Sequence, residues 1–281
     1  MTEPSYPRAT WRLIVDPKPR TGAWNMALDE AIQDAVAAGQ APPTLRFYQW
    51  APPAISLGKR QPVDGVDLAR CEHDGVDVVR RPTGGLAILH TDELTYSIAT
   101  IPSDPRAAGA ILDAYKRLSA GLVDGLRRLG VPAELNPVNP YGTASSSAAC
   151  FEVPSAYEIT AGGKKLMGSA QSRPAGRVLQ HGSLPLVGDI TRVAEYLRFA
   201  SVAERASLRA HLGQRATTLR DALGREVGFA EATDALCAGF AAALNLDLVP
   251  AALSAAEQRV AAERLALVRV STEAPADSVR T

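Results

Sequence analysis

The stretch "AYEITAGGKKLMGSAQSRPAGRVLQHGSLPL", residues 156–186, decides the fold class. Glycine and proline clusters punctuate it at Gly162-Gly163 and at Pro174-Ala175-Gly176, with strand-like runs between them. It reads as three consecutive strands joined by turns. Three strands without an intervening helix do not fit a strictly alternating βαβ chain, so a doubly wound parallel sheet is the poorer reading and α+β the better one.

Working outward, the upstream chain adds more strands. Trp11 to Val15, "TLRFYQW", "AISL" after Pro52-Pro53, "VDVVRRP", "LAILH" and "ELTYSIATI" all read as β. Two helices interrupt them. In "TGAWNMALDEAIQDAVAAG" the apolar Met26, Leu28, Ile32 and Val36 fall near a 3.6-residue period, and Gly39 is a stop signal. "AGAILDAYKRLSAGLVDGLRRLG" closes on Gly130. Downstream of about Asp189 the character changes. "ITRVAEYLRF", "SVAERASLRAHL", "ATTLRDAL" and "FAEATDALCAGFAAALNL" all read as helices. The expectation is a mixed β-sheet with flanking helices over residues 1–188. A helical C-terminal extension, 189–281, packs on the same domain, and its last ~25 residues are polar and frayed.

Composition sets limits on function. The chain has 281 residues, 46% of them hydrophobic, which is enough for a sizeable core. Thirty basic and 30 acidic residues give a formal net charge of zero, so nucleic acid is not the expected partner. The N-terminus has no apolar h-region, and no window reaches ~18 apolar residues without a charge, so neither a signal peptide nor a membrane span is expected. Cys71, Cys150 and Cys237 are odd in number and widely spaced, which fits a reducing cytoplasm. They lack the C-x-x-C spacing of a zinc site, and no metal or cofactor is expected.

Three constellations carry candidate chemistry. In "VVRRPTGGLAILH" (78–90), Gly84-Gly85 lets backbone N–H groups approach a ligand, and Arg80 and Arg81 face opposite ways on a strand. On the pattern alone, a glycine hairpin with surface arginines is the favoured reading. In the opening stretch, Lys164 and Lys165 likewise face opposite ways, so one can be inward and the other outward. Paired lysines after Gly-Gly are usually a solvated tip. Cys150 follows the small-residue run "YGTASSSAA", which reads as a loop. A lone cysteine is more often an inert small hydrophobe than a nucleophile, and Cys71 and Cys237 read that way. Cys150 as a nucleophile needs a cation or base nearby, and Lys165 qualifies only if the fold brings the two together.

Five ordered motifs, "NMALDEA", "PPTLRFYQWAPPAISLGKRQ", "VVRRPTGGLAILH", "DELTYSI" and "GKKLMGSAQSR…LQHGSLPL", together resemble the biotin/lipoate protein ligase superfamily. The resemblance covers about Trp11 to Val187 and is closest to the lipoate-ligase and octanoyltransferase branch. It implies the same α+β fold, related to class II aminoacyl-tRNA synthetases. "CFEVPSAYEI" (150–159) is similar to the segment that carries the acyl-accepting cysteine of cysteine-dependent octanoyltransferases, which assigns that part to Cys150. Lys165 matches a lysine that contacts the acyl carbonyl. Arg81, Thr83, Gly84, Gly85 and His90 match one wall of the acyl pocket; Gly168, Ser169, Ala170, Gln180, His181 and Gly182 match the other. Leu86, Ile88 and Leu166 are candidate tunnel residues. Leu86 stands where the family often has Arg or Gly, and Thr91 separates His90 from Asp92.

The resemblance implies octanoyl transfer from acyl carrier protein, through a Cys150 thioester, to a lysine of a lipoyl carrier domain such as H protein. No cofactor is needed for that chemistry. The alternative it leaves is an ATP-dependent lipoate–protein ligase working through an adenylate, with Cys150 incidental. A third reading is a non-catalytic carrier-binding protein of the same fold, against which the joint retention of Cys150 and Lys165 argues.

Overall fold

The computed structural model describes residues 6–137 and 157–270. Eleven strands and seven α-helices follow one another in these residues. In chain order they are β1 (Ala9–Val15), α1 (Gly22–Ala37), β2 (Thr44–Tyr48), β3 (Ala54–Leu57), α2 (Leu68–His73), β4 (Asp77–Arg80), β5 (Ile88–His90), β6 (Glu93–Thr100), α3 (Ile111–Arg128) and β7 (Ala133–Pro137). Then come β8 (Tyr157–Ala161), β9 (Lys164–Ser172), β10 (Val178–Pro185), α4 (Val202–Arg215), α5 (Leu219–Leu223), α6 (Phe229–Leu244), β11 (Leu246–Pro250) and α7 (Ala255–Val268).

The fold is the expected mixed sheet with flanking helices. Eight strands form one sheet in the order β11-β1-β2-β6-β10-β9-β8-β7. β11, β1 and β2 run parallel, and every later neighbour is antiparallel. The stretch 156–186 supplies β8, β9 and β10, with its turns where the glycines and proline stand. One face of this sheet packs on α3 and α6 through Phe47, Tyr96, Leu118, Leu122, Leu236 and Phe240. On the other face, α1 buries Met26, Ala27 and Leu28 against Tyr48, Trp50 and α7. Thr21 caps α1 by accepting from the Trp24 backbone N–H.

Three features depart from expectation. Strands 54–57, 77–80 and 88–90 do not join the main sheet but form a second one, in the order β4-β3-β5. Each is too short for its alternation to say which sheet it belongs to. The segment after residue 188 is not purely helical. Its first stretch, Ile190–Tyr196, is a 3₁₀ helix, and β11 adds a parallel strand beside β1 after Asn245 ends α6 in the left-handed conformation. Finally, the tail from about residue 257 is not frayed along its length. Ser254 and Glu257 close a reciprocal capping box that starts α7, and Glu257 is buried in an ion pair with Arg12. Beyond α7, Val270 donates its backbone N–H to Val78 and so reaches β4 of the small sheet.

Candidate active site

A cavity of about 340 Å³ lies between the two sheets, in the size range of small-ligand sites. β2, β6, β9 and β10 of the main sheet and β3 and β5 of the small one contribute its walls, with Met26 of α1 and the first turns of α3. Apolar groups dominate: Met26, Trp50, Leu86, Ile88, Ile111, Leu112 and the rings of Tyr48, Tyr115 and Tyr157.

β4 ends at Arg80 with Arg81 next in the chain, and the two side chains go different ways. Arg81 lines the cavity, buried, and its guanidinium donates to the backbone oxygens of Ser56 (2.7 Å), Gly84 (2.8 Å) and Leu86 (2.8 Å). Arg80 turns away and donates to Gly58 O (2.8 Å) and Gln61 O (2.7 Å). Arg81 thus clamps carbonyls of the turn at 83–86, and Arg80 clamps the 58–61 loop, whose Lys59 N–H donates to Thr83 O. Gly85 has a φ of +98°, and its carbonyl oxygen lies only 1.9 Å from where a Cβ on Gly58 would stand. Two glycines therefore let two backbones touch at the cavity edge. Gly84 and Gly85 are both in the cavity wall and exposed.

Lys165 is the inward lysine. It is 5% exposed, lines the cavity, and its Nζ lies 2.6 Å from Glu158 Oε1 on the neighbouring strand. Lys164 is exposed and donates to Gly213 O (3.3 Å). A bulge follows at once: Thr160 pairs with Lys165 but Ile159 with Met167. The extra residue breaks the period-two alternation and re-aims the strand beside the site. Leu166 and Met167 consequently both enter the main core. Leu166 is thus not a tunnel residue, in contrast to Leu86 and Ile88, which line the cavity. Gly168, Ser169 and Ala170 line it too, and a Cβ at Gly168 would crowd Lys165 Cε at 3.3 Å.

Two histidines line opposite walls, each backed by a buried carboxylate. His90 stacks on Trp50, with ring centroids 4.0 Å apart and an interplanar angle of 8°. Its Nδ1 faces Glu93 Oε1 at 2.7 Å and its Nε2 faces Ser56 Oγ at 2.7 Å. Glu93 also accepts from Thr95 (2.6 Å) and from the Ser183 hydroxyl. His181 places Nδ1 at 3.2 Å from Asp29 Oδ2 and Nε2 at 2.6 Å from Thr83 Oγ1. Burial pushes the His181 imidazole below its ordinary value, against the pull of Asp29, so the ring is neutral at pH 7. Burial also pushes Asp29 up, but His181 and Arg46 outweigh it and hold the carboxyl below the usual range. Both ring nitrogens are engaged in each case, so each imidazole is held between a carboxylate and a hydroxyl.

The sequence-predicted residues sort as follows. Arg81, Gly84, Gly85, Leu86, His90, Lys165, Gly168, Ser169, Ala170, His181 and Gly182 come together around one cavity. Thr83 and Gln180 are fully buried behind the wall rather than in it. Thr83 bonds His181, and Gln180 donates to Tyr96 OH (2.9 Å), which in turn donates to Ser169 Oγ (2.9 Å). Cys150 lies outside the described residues. Burial pushes Cys71 up to about 11 and Cys237 up to about 12, so neither is a thiolate near neutrality. Sequence reasoning missed Asp29, Glu93, Glu158, Tyr48, Trp50 and the α3 residues Ile111, Leu112 and Tyr115. Asp29 stands inside "NMALDEA", whose apolar period and family resemblance say nothing of its carboxylate. Among the described residues no cluster of three or more His, Cys, Asp or Glu is placed to hold a metal ion, and no helix is long and apolar enough to cross a membrane.

With this geometry in hand, the chain can be set beside known proteins. The family model described as lipoyl protein ligase A/B catalytic domain matches residues 21–241. Octanoyltransferase LipM of Symbiobacterium thermophilum is 44% identical over 259 residues, 89% of this chain and 92% of that protein. Octanoyltransferase LipM of Kyrpidia tusciae is 44% identical over 261 residues, 91% and 94% of the two chains. Among solved structures, the lipoate protein ligase of a bipartite system from Thermoplasma acidophilum matches with a TM-score of 0.76 at 24% identity, covering 92% of this chain and 93% of that one. A lipoate-protein ligase A bound with ATP matches at 0.74 and 25% identity, covering 92% and 94%.

Proposed function

The chain belongs to the lipoyl protein ligase A/B catalytic-domain family, and from that premise we propose that it is an octanoyltransferase of protein lipoylation. The acceptor is a lysine of a lipoyl carrier domain, and the donor is octanoyl-acyl carrier protein. Both meet the enzyme in the cytoplasm. The observation that carries this reading is the apolar cavity with a buried lysine, Lys165, in its wall. Burying an alkyl chain there supplies roughly 0.8 kcal/mol per methylene.

The reaction runs in two half-steps. Cys150 Sγ attacks the donor thioester carbonyl, the carbon–sulfur bond to the carrier breaks, and the leaving thiolate takes up a proton. The acceptor amine then attacks the Cys150 thioester, loses its proton, and releases the thiol. Each half-step passes through an oxyanion that needs donors. The Lys165 ammonium and the backbone N–H groups of the Gly84-Gly85 turn serve that need. Glu158 holds the lysine from behind at 2.6 Å. A covalent intermediate of this kind gives ping-pong kinetics.

An ATP-dependent lipoate ligase is the competing reading. The relatives at 44% identity carry the octanoyltransferase name over about nine-tenths of the chain, and Leu86 follows the glycine pair where an anionic group would gain from a cation. Intact mass spectrometry after mixing with octanoyl-acyl carrier protein, without ATP, tests the choice. Wild type gains an octanoyl adduct that neutral hydroxylamine removes, and Cys150→Ala gains none. Acceptor modification only when ATP and a free acid are supplied would overturn the transferase reading.

A further inference from the structure

We propose that Asp29 is a positioning residue for acyl transfer: through His181 and Thr83 it fixes the Gly84-Gly85 turn against the cavity. The inference rests on the reading of this cavity as the acyl-transfer site.

Asp29 sits on α1 with a fully buried carboxylate. Four donors converge on it from three strands of the main sheet. Arg46 Nη1 (2.8 Å) and Ser97 Oγ (2.8 Å) reach Oδ1; Tyr48 OH (2.8 Å) and His181 Nδ1 (3.2 Å) reach Oδ2. Arg46 is itself shared with Asp16, at 2.6 Å, and with Asn25 Oδ1, at 2.8 Å. Such a buried ionic cluster is weak as a source of net stability. What it supplies here is direction, because each donor is held at one angle.

The direction propagates. A carboxylate can only accept, so His181 Nδ1 carries the proton it donates to Asp29. The ring is neutral, so Nε2 is left as an acceptor. The Thr83 hydroxyl must therefore donate to Nε2, across 2.6 Å. That assignment follows from the network. Thr83 belongs to the turn carried by the small sheet, while His181 is on β10 of the main sheet. One hydrogen bond thus ties together the two layers whose separation makes the cavity. Thr83 is fully buried and outside the wall, whereas the next two residues are in the wall and exposed. The hydroxyl anchors, and the glycine backbone faces the ligand.

The chain gives the "NMALDEA" motif a purpose that its helical period does not explain. Asn25 and Asp29 are one turn apart on the helix face that meets Arg46.

Asp29→Asn strips Arg46 of one of its two carboxylates and puts folding at risk, so Thr83 carries the test. Thr83→Val keeps the shape and removes the donor; Thr83→Ser keeps the donor. Octanoyl transfer to an acceptor domain is measured for each, with kcat and KM separated. Thr83→Val should lose roughly ten- to hundredfold in kcat with KM for the donor nearly unchanged, since small misplacement of reacting groups costs rate on that scale. Thr83→Ser should recover most of the loss. In parallel, 15N spectra of histidine-labelled protein should show His181 as the neutral Nδ1–H tautomer in wild type and in Thr83→Val alike, since Asp29 still accepts from Nδ1, with the Nε2 resonance shifted in the variant by loss of the Thr83 hydrogen bond. Unchanged kcat in Thr83→Val, equal impairment in Thr83→Ser, or an Nε2–H or doubly protonated His181 in wild type would each overturn the proposal. If wild type transfers no octanoyl at all, the activity reading fails, and the His181 spectrum alone decides whether the relay exists.

Discussion

Lys165 Nζ lies 2.6 Å from Glu158 Oε1 across two neighbouring strands, and both side chains are buried. The pair separates a structural role from a chemical one. Lys165→Met leaves a carboxylate buried beside an apolar chain, which costs about 3–5 kcal/mol. The double variant Lys165→Met with Glu158→Gln should regain most of that stability in urea unfolding, because no unpaired charge remains. It should not regain transfer, which stays at least ~100-fold down for want of the oxyanion donor. Recovery of stability and transfer together would show that the pair is only structural.

Gly58 and Gly84 give opposite results from the same one-methyl change. A Cβ at Gly58 would stand 1.9 Å from Gly85 O, a backbone atom that steps aside only if the turn moves with it. Gly58→Ala should therefore lose about 1–3 kcal/mol through overpacking and move the glycine turn, lowering transfer as well. A Cβ at Gly84 meets nothing within 4 Å. Gly84→Ala should unfold at the wild-type temperature, and any effect should fall on KM for the acyl donor. Calorimetry and steady-state kinetics on the two variants check both statements.

These contrasts show how far the residues speak for themselves. The opening strands were legible because glycines and a proline cut a β-rich run into lengths that only strands fit; alternation put Lys164 and Lys165 on opposite faces, and the family resemblance chose Lys165 between them. The second sheet was not legible, since β3, β4 and β5 hold three or four residues each and their partners are set by long-range packing. β11 hid behind α6, whose apolar run continues to Leu246. α7 hid behind polar composition, although Ser254 and Glu257 stand at capping-box spacing. The buried carboxylates were the least visible. A charged residue is buried only when partners distant in sequence converge on it, as Arg46 and His181 do on Asp29.

The thiols make a sharper prediction. Burial raises Cys71 to about 11 and Cys237 to about 12, so both are protonated at pH 7.5. Limited iodoacetamide at that pH should label Cys150 first, and peptide mass spectrometry reads the site. The double variant Cys71→Ala with Cys237→Ala should keep transfer. Alkylation of Cys71 or Cys237 ahead of Cys150 would remove the argument for Cys150 as the reactive thiol.

The pair between Arg12 and Glu257 fixes the C-terminal helix to β1, and its pH dependence can be worked out. Burial pushes the Glu257 carboxyl up, but Arg12, at 2.5 and 3.0 Å, and the Ser254 backbone N–H, at 2.8 Å, outweigh it and hold it below its ordinary value. Between the folded and unfolded values the unfolded chain binds more protons, so stability rises with pH there. The contribution is complete above the unfolded value, about 4.3, and is lost as pH falls through the folded one. Asp29 titrates in the same direction, so wild type alone cannot isolate Glu257. Glu257→Gln can. At pH 7 it should be less stable than wild type by about 1.5–3 kcal/mol, the worth of hydrogen bonds to a charged group. The gap should narrow steadily below pH 4.5 as the wild-type carboxyl takes up its proton. Urea unfolding of both proteins from pH 7 to pH 3 reads this difference directly. A gap that stays constant with pH would mean that packing of α7, and not the charge on Glu257, holds the helix in place.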